Sequence, residues 1–187
     1  MPVHKIRSTA FALRGGLWTA LFLAVWFVAK PASKGAVAGG LALVVLGQLI
    51  RFWAVGCITR YRGERVGAER LVTWGPYGLV RNPLYVGNGL IGLGWAVLAG
   101  PTAIVIFCVA FILIYAVLIV PYEEQFLRGK FGAAYDDYAA TTGRFFPKSW
   151  NPARLTGPFD RSVLWVSERH SLLVTVLGTA LLLVRTL

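Results

Sequence analysis

The sequence has few charged residues, and acids are scarcer than bases. Of its 187 residues 14% are charged, and 8 Asp or Glu stand against 19 Lys or Arg. Soluble domains carry roughly a quarter charged residues, so this composition argues against a water-soluble fold. Apolar residues make up 57% of the chain and are gathered in long blocks, which gives a mean hydropathy of +0.64. These features predict an integral membrane protein.

Histidine and cysteine are also scarce. His4 and His170 lie near opposite ends, while Cys57 and Cys108 lie in apolar stretches, so we expect no metal site, disulfide or catalytic thiol. The net charge of +11 raises the question of nucleic acid, but no recognition module accompanies it. The basic residues cluster between apolar blocks, where they would face anionic lipid head groups. We therefore expect membrane lipids as partners and no nucleic acid.

Five apolar blocks predict an all-α bundle of about five transmembrane helices, forming a single membrane domain over residues 1–187. The first block resembles a signal peptide but lacks a small-residue cleavage site, so we expect a retained span. Gly100 and Pro101 make a tight turn that joins the third and fourth blocks in a helical hairpin. The blocks run from about Phe11 to Ala29, Gly35 to Ile58, Leu84 to Ala99, Thr102 to Val120 and Ser171 to Val184.

The last block crosses a bilayer only if Val163 to Val166 extend it, which brings Glu168, Arg169 and His170 into the helix. A helix lying on the membrane surface is the alternative. The bases predict the orientation, with the N-terminus and both long connections, residues 59–83 and 121–161, in the cytoplasm. The inner side then holds Lys5, Arg7, Arg14, Arg60, Arg62, Arg65, Arg70, Arg81, Arg128, Lys130, Arg144, Lys148, Arg154 and Arg161, against Lys30, Lys34 and, with a fifth span, Arg185 outside.

The first connection ends in a stretch rich in glycine and proline, from Trp74 to Gly89. Pro83 suits the first position of a helix, and Asn82 before it is a natural N-cap. The free N–H groups of that helix start suit a carboxylate or another anion. Gly87 and Gly89 thin the helix so that a flat ligand or a neighbouring backbone can approach. A helix pair packed through small residues is the structural alternative.

The second stretch follows the fourth block and places Glu123 and Glu124 at the membrane boundary. Aromatic residues at helical spacing after them indicate an amphipathic interfacial helix. A carboxylate at this depth needs a ligand or a partner, and Arg128 or loop arginines are the alternatives to a ligand. Arg144 follows beside aromatic residues, where it suits a substrate, a lipid head group, or a salt bridge to Asp136 or Asp137.

Together the two stretches resemble the isoprenylcysteine carboxyl methyltransferases and the related phospholipid N-methyltransferases. Their first motif is approximately G-P-Y-x-x-V-R-H-P-x-Y-x-G, and their second combines E-E-x-x-L, F-G-x-x-Y-x-x-Y and R-F-x-P. Here these motifs begin at Gly75, Glu123, Phe131 and Arg144. The resemblance covers residues 35–147, which we treat as the methyltransferase core. Residues 148–187 are an additional C-terminal segment with the possible fifth span.

The resemblance implies binding of S-adenosylmethionine, with S-adenosylhomocysteine as product, between the hairpin and a cytosolic C-terminal segment. Asn82 replaces the family histidine, so a mechanism that needs an imidazole base there is excluded. We expect Arg144 to face the substrate. If the methyl acceptor is an amine, we expect Glu124, Tyr85 or water to accept its proton. The residues assigned to the cofactor by the resemblance are Arg81, Asn82, Tyr85, Gly87, Gly89, Glu123 and Glu124.

The methyl acceptor stays open between a prenylcysteine-like carboxylate, a phospholipid amine and a small hydrophobic thiol or acid. A transporter-like protein and a non-catalytic lipid-binding protein are the rival classes. Arg51 lies inside the second block, and we expect it to face the active-site cavity and meet an anionic head group or Glu123. The composition favours a bacterial inner-membrane protein. Nothing in the sequence specifies the oligomeric state.

Overall fold

The fold is a bundle of apolar helices, seen in a computed structural model that describes residues 2–58 and 70–187. Within these ranges the chain forms helices and loops and no strand, which confirms the all-α prediction. Arg60, Arg62 and Arg65 of the predicted inner side lie outside the described residues. The α-helices are α1 (Pro2–Ala12), α2 (Arg14–Phe27), α3 (Lys34–Gly56), α4 (Pro83–Ala99), α5 (Pro101–Phe111), α6 (Val120–Phe131), α7 (Ala133–Thr141) and α8 (Ser162–Thr186).

Three helices are long and apolar enough to cross a membrane: α3, the 31-residue helix Pro101–Phe131 that contains α5 and α6, and α8. The pair α1 and α2 counts as a fourth if the two form one broken span. Helix α4 is apolar but has only 17 residues. The predicted total of about five spans therefore stays a prediction. Helix α8 does include Glu168, Arg169 and His170, as the extended form of the last block required.

The first apolar block is not one straight helix. It breaks at Leu13, and the axes of α1 and α2 differ by 70°. The Arg14 side chain donates to the carbonyl of Phe11 at 2.8 Å and lies 4.1 Å above the Phe11 ring. The bend brings Phe11 against Tyr122 of α6, with ring centroids 5.8 Å apart. Tertiary contacts of the aromatic side chain therefore accompany a break that hydropathy alone did not predict.

The fourth block also differs from its prediction, because the helix does not end at Val120. A π-helical stretch, Ile112–Ile119, connects α5 to α6, and the helix runs on to Phe131. In a regular α-helix the ring of Pro121 would clash with the carbonyl four residues earlier. The wider turns just before it ease that clash, so the chain carries Glu123 and Glu124 on a continuous helix.

Helices α3 and α4 pack backbone to backbone through two pairs of glycines. A Cβ on Gly47 would lie 2.6 Å from the carbonyl oxygen of Gly87, and one on Gly94 would lie 2.5 Å from that of Gly40. Both pairs are seven residues apart in each helix, so they repeat on one face. Helix α8 completes this core, because the ring of Trp95 packs against Gly178, where a side chain would leave it no room. This packing fixes α4, whose first residue follows Arg81 and Asn82.

Replacing Gly47 by Ala is expected to lower the thermal unfolding midpoint in detergent, because the new methyl group must push the two helices apart. Overpacking of this kind costs about 1–3 kcal/mol. Gly39→Ala is the matched control in the same helix, since a Cβ there meets nothing within 4 Å. Its midpoint should stay equal or rise, because alanine favours a helix. Equal midpoints for Gly47→Ala and Gly39→Ala would contradict the close approach.

Candidate functional site

The two sequence motifs meet through the backbone. Gly75 adopts a φ of +62°, which begins the 3-10 turn Gly75–Gly78 ahead of α4. Val80 then forms a parallel bridge with Gly143, and the Arg81 N–H donates to the Gly143 carbonyl at 2.8 Å. The loop before α4 is thereby held against the loop after α7. We call the end of the bundle where this happens the motif end.

Glu124 is the centre of the motif end. Its Oε1 accepts from Arg81 Nε at 3.1 Å and Nη2 at 2.9 Å, and its Oε2 accepts from Arg144 Nε at 3.1 Å and Nη2 at 2.6 Å. Asn82 Nδ2 adds a third donor to Oε1 at 3.3 Å. The residue is 6% exposed. Each arginine binds one oxygen through two of its nitrogens, so both loops are tied to α6 by one acid.

This arrangement shows which bases pair with Glu124. Loop arginines neutralise Glu124, whereas Arg128 pairs with Asp136 at the surface with 2.7 Å between Nε and Oδ1. The salt bridge of Arg144 goes to Glu124 instead of Asp136 or Asp137. The sequence could not show this, because a turn at Gly132 between α6 and α7 decides which acids face the loop.

The two arginines differ in how firmly they are held. Arg81 Nη1 also donates to the carbonyls of Ala139, at 3.2 Å, and Thr142, and the side chain is 11% exposed. The Arg144 side chain is 42% exposed, with Glu124 as its side-chain partner. Arg81 is therefore a fixed part of the site, and Arg144 is the one that can exchange partners with a ligand.

Asn82 occupies the predicted N-cap position of α4, but its side chain makes no capping hydrogen bond. That part of the prediction is wrong. The amide nitrogen instead donates to Glu124 and, at 3.3 Å, to the carbonyl of Arg144. A charged carboxylate is a stronger acceptor partner than a neutral group. Asn82 therefore joins the acid to the Arg144 loop without needing a titratable ring.

The other predicted cofactor residues lie around this cluster in different settings. Glu123 is buried next to Glu124 in α6. The ring of Tyr85 packs against Tyr115 of the π-helical stretch at 4.9 Å. Gly87 faces α3 and Gly89 faces the ring of Phe111, so the structure gives both glycines helix-packing contacts. Their role in cofactor binding stays a prediction.

Arg51 does not pair with Glu123 as we expected. Its Nε and Nη2 bind the carboxylate of Glu168 at 3.0 and 2.6 Å, and its Nη1 binds Asn88. Gln48 Nε2 donates to the same carboxylate at 3.3 Å. The sequence placed Glu168 in the extended last helix but gave no sign of which helix that residue faces.

Tyrosines and a threonine line the site without having been predicted. Burial and then the nearby Glu124 carboxylate raise the pKa of Tyr135 to about 12, so this phenol stays protonated at neutral pH. The Tyr138 hydroxyl donates to the Tyr77 carbonyl at 2.8 Å. Thr142 is buried beside Arg81, and its hydroxyl has no hydrogen-bond partner within the described parts of the chain. The motif tyrosines thus shape the site.

Glu124→Gln is expected to destabilise the protein strongly, because it leaves the buried guanidinium of Arg81 without a counter-charge. Breaking a buried pair on one side costs about 3–5 kcal/mol. The measurement is the thermal unfolding midpoint in detergent. Asp137→Asn, an exposed acid on the adjacent helix, is the control and should leave the midpoint unchanged. An unchanged midpoint for Glu124→Gln would mean that the cluster does not hold the two loops.

Similar proteins were found for more than half of the chain. The chain is 36% identical over 111 residues to the nickel-cobalt-cadmium resistance protein NccN of Alcaligenes xylosoxydans xylosoxydans, covering 58% of this chain and 48% of that protein. It is 34% identical over 108 residues to protein-S-isoprenylcysteine O-methyltransferase B of Arabidopsis thaliana, covering 54% and 53%. A probable protein-S-isoprenylcysteine O-methyltransferase of Oryza sativa subsp. japonica is 36% identical over 106 residues, covering 54% and 55%.

The chain spans about half the length of the curated relatives it matches. No solved structure is significantly similar to it. A sequence model described as phospholipid methyltransferase matches residues 36–134, more than half of the chain, and this range contains Arg81, Asn82 and Glu124. The resemblance seen in the motifs is confirmed, and the protein belongs to the phospholipid methyltransferase family.

Proposed function

We propose that the protein is an integral membrane methyltransferase that uses S-adenosylmethionine to methylate a lipidic or hydrophobic acceptor. The observation that carries the proposal is the cluster of Arg81, Glu124 and Arg144, which joins the family motifs at one end of an apolar bundle. Polar groups are concentrated there beside aromatic side chains, while helices α5 and α8 expose apolar faces that suit lipid. An acceptor with an apolar tail can lie in the bilayer and still present its polar end to the site.

The residues of the motif end fit this cofactor. S-adenosylmethionine carries a carboxylate, an ammonium and ribose hydroxyls, which need cationic, anionic and hydrogen-bonding partners respectively. The exposed Arg144 can leave Glu124 for the carboxylate, and Glu124 then gains a free oxygen for the ammonium or a hydroxyl. The buried Thr142 hydroxyl, which has no partner among the described residues, is a further donor. These groups support a zwitterionic ligand better than a simple anion.

The cofactor supplies an electrophilic methyl group, so the protein chiefly has to align two reactants and exclude water. In our proposal Arg81 holds Glu124 in place, and Asn82 holds the Arg144 loop. Arg144 binds the cofactor or an anionic acceptor. A carboxylate acceptor needs no base. If the methyl acceptor is an amine, it must lose a proton. We propose Glu124 and Tyr85 as the groups that take up this proton.

The names of the plant relatives favour an oxygen acceptor, and the family description favours a phospholipid. We propose a lipid-borne carboxylate or a phospholipid amine as the substrate class. We also propose that the motif end faces the cytoplasm of a bacterial inner membrane. The bases Lys148, Arg154 and Arg161, which follow Arg144 in the sequence, support this orientation.

Saturable binding of S-adenosylmethionine to the detergent-purified full chain is the expected result in titration calorimetry, with S-adenosylhomocysteine as a competitor. Arg144→Met should weaken binding by about tenfold or more, because a charge-assisted hydrogen bond contributes about 1.5–3 kcal/mol. Arg128→Met is the matched control at the exposed pair and should bind like the wild type. Absence of saturable binding to the wild type would eliminate the methyltransferase proposal.

Membranes that contain the protein should transfer a labelled methyl group from S-adenosylmethionine to the lipid-extractable fraction. Base releases the label as volatile methanol if it sits on a carboxylate, as a methyl ester, and leaves it in a non-volatile product if it sits on an amine. Membranes that lack the protein are the control and should transfer no label to this fraction. Label found only in water-soluble products would contradict a lipidic acceptor.

A further inference from the structure

The C-terminal segment 148–187 lies outside the family match of residues 36–134, yet it grips the helices that carry the motifs at two places. The first is a strap of residues 154–160 across the motif end. The second is an ion pair within the apolar part of the bundle.

The strap fits into positions where only glycine leaves room. The Phe159 ring lies where a Cβ on Gly56 would be, 2.1 Å from its nearest atom, and a Cβ on Gly78 would lie 2.8 Å from Arg154. Trp74 Nε1 donates to the Pro158 carbonyl at 3.0 Å, and the Asp160 N–H donates to the Gly56 carbonyl at 2.8 Å. The strap thus covers the end of α3 and the turn that begins the first motif.

The ion pair joins α8 to both α3 and α4. The side chains of Arg51 and Glu168 are 13% and 4% exposed, and Glu168 binds two nitrogens of the guanidinium. The third nitrogen of Arg51 binds Asn88 of α4. To reach it, the arginine crosses α4 at Gly87, where a Cβ would lie 2.5 Å from Arg51 Cγ. Gly87, which belongs to the family motif, therefore leaves room for Arg51. The partner of Arg51, Glu168, lies outside the family match.

Such a pair does not by itself stabilise a fold. The desolvation of two charges roughly offsets their attraction, and a well-packed apolar pair is often as stable or more so. The pair does fix the orientation of its two side chains, because a bidentate guanidinium binds a carboxylate in one geometry. Asn88 lies six residues beyond Asn82 on α4, about 9 Å along the helix axis. A shift of Arg51 is therefore transmitted along α4 to the residue that binds Glu124.

We propose that Arg51 and Glu168 are positioning residues, through which the C-terminal helix sets the placement of α4 and so of Asn82 and Arg81 in the methyl-donor site. The inference rests on the proposed function. It makes the C-terminal segment a part of the catalytic unit, although neither residue touches the reacting atoms.

The double variant Arg51→Met/Glu168→Leu separates positioning from stability. Its thermal unfolding midpoint should be near that of the wild type, because both charges are removed together. Its dissociation constant for S-adenosylmethionine should be at least about tenfold higher, since small misplacements of site residues cost large factors. Glu168→Gln alone should lower the midpoint, and Asp136→Asn at the exposed pair should change neither quantity.

A double variant with native midpoint and native affinity would show that the pair only fills space, and would overturn the inference. If that variant fails to fold, Asn88→Ala replaces it, because the ion pair is kept and only the link to α4 is lost. Native affinity in folded Asn88→Ala would likewise overturn the inference. A wild type that shows no saturable binding overturns the proposed function itself, and this inference with it.

Discussion

One buried acid holds the candidate site together. Glu124 receives two arginines and an asparagine, and these three come from the loop before α4 and the loop after α7. The two loops meet through this carboxylate, through the Val80–Gly143 bridge beside it, and through the Tyr138 hydroxyl, which donates to the Tyr77 carbonyl. In a chain with 8 acidic residues, placing one of them at 6% exposure is costly unless it is fully paired. The pairing brings together Arg81 and Glu124, which are 43 residues apart in the sequence.

The sequence predicted the chemistry of this cluster better than its geometry. Arg81, Asn82, Glu124 and Arg144 were all identified, because motif spacing reports which residue types a family needs. Their pairing was only one of the alternatives that the sequence left open, since it depends on the turn at Gly132, which sets the direction of α7 and the Arg144 loop relative to α6. Hydropathy likewise located the apolar blocks but not the break at Leu13 or the continuation of the fourth block's helix past Val120 to Phe131. Apolar patterning reports contact with lipid, whereas a helix ends where its backbone hydrogen bonds end.

The glycines of the first motif can be interpreted in two ways, as a ligand-binding surface or as a helix-packing surface. Gly87 belongs to the family motif and was assigned to the cofactor, but its open side faces Gly47 and Arg51 of α3. In a membrane, close backbone approach is itself a main source of helix association, because lipid gives no hydrophobic force between apolar helices. A glycine pattern alone therefore cannot separate a ligand surface from a packing surface. Only the partner helix can, and here that partner is visible for Gly87 and for Gly94.

Two polar layers follow one another along α4, and their difference in exposure sets their roles. The layer at Asn82 includes Arg144, whose side chain is 42% exposed and which we propose exchanges partners when a ligand binds. The layer at Asn88 is closed by Arg51 and Glu168, and its guanidinium is saturated by protein groups. All three guanidinium nitrogens of Arg51 are bound by protein groups, so none is left for a substrate. The same bonds join α3, α4 and α8 to one another. In our proposal Arg144 changes partners at the first layer, while the second layer keeps the supporting helices in place. A functional site needs such rigid support for the side chains that bind the ligand.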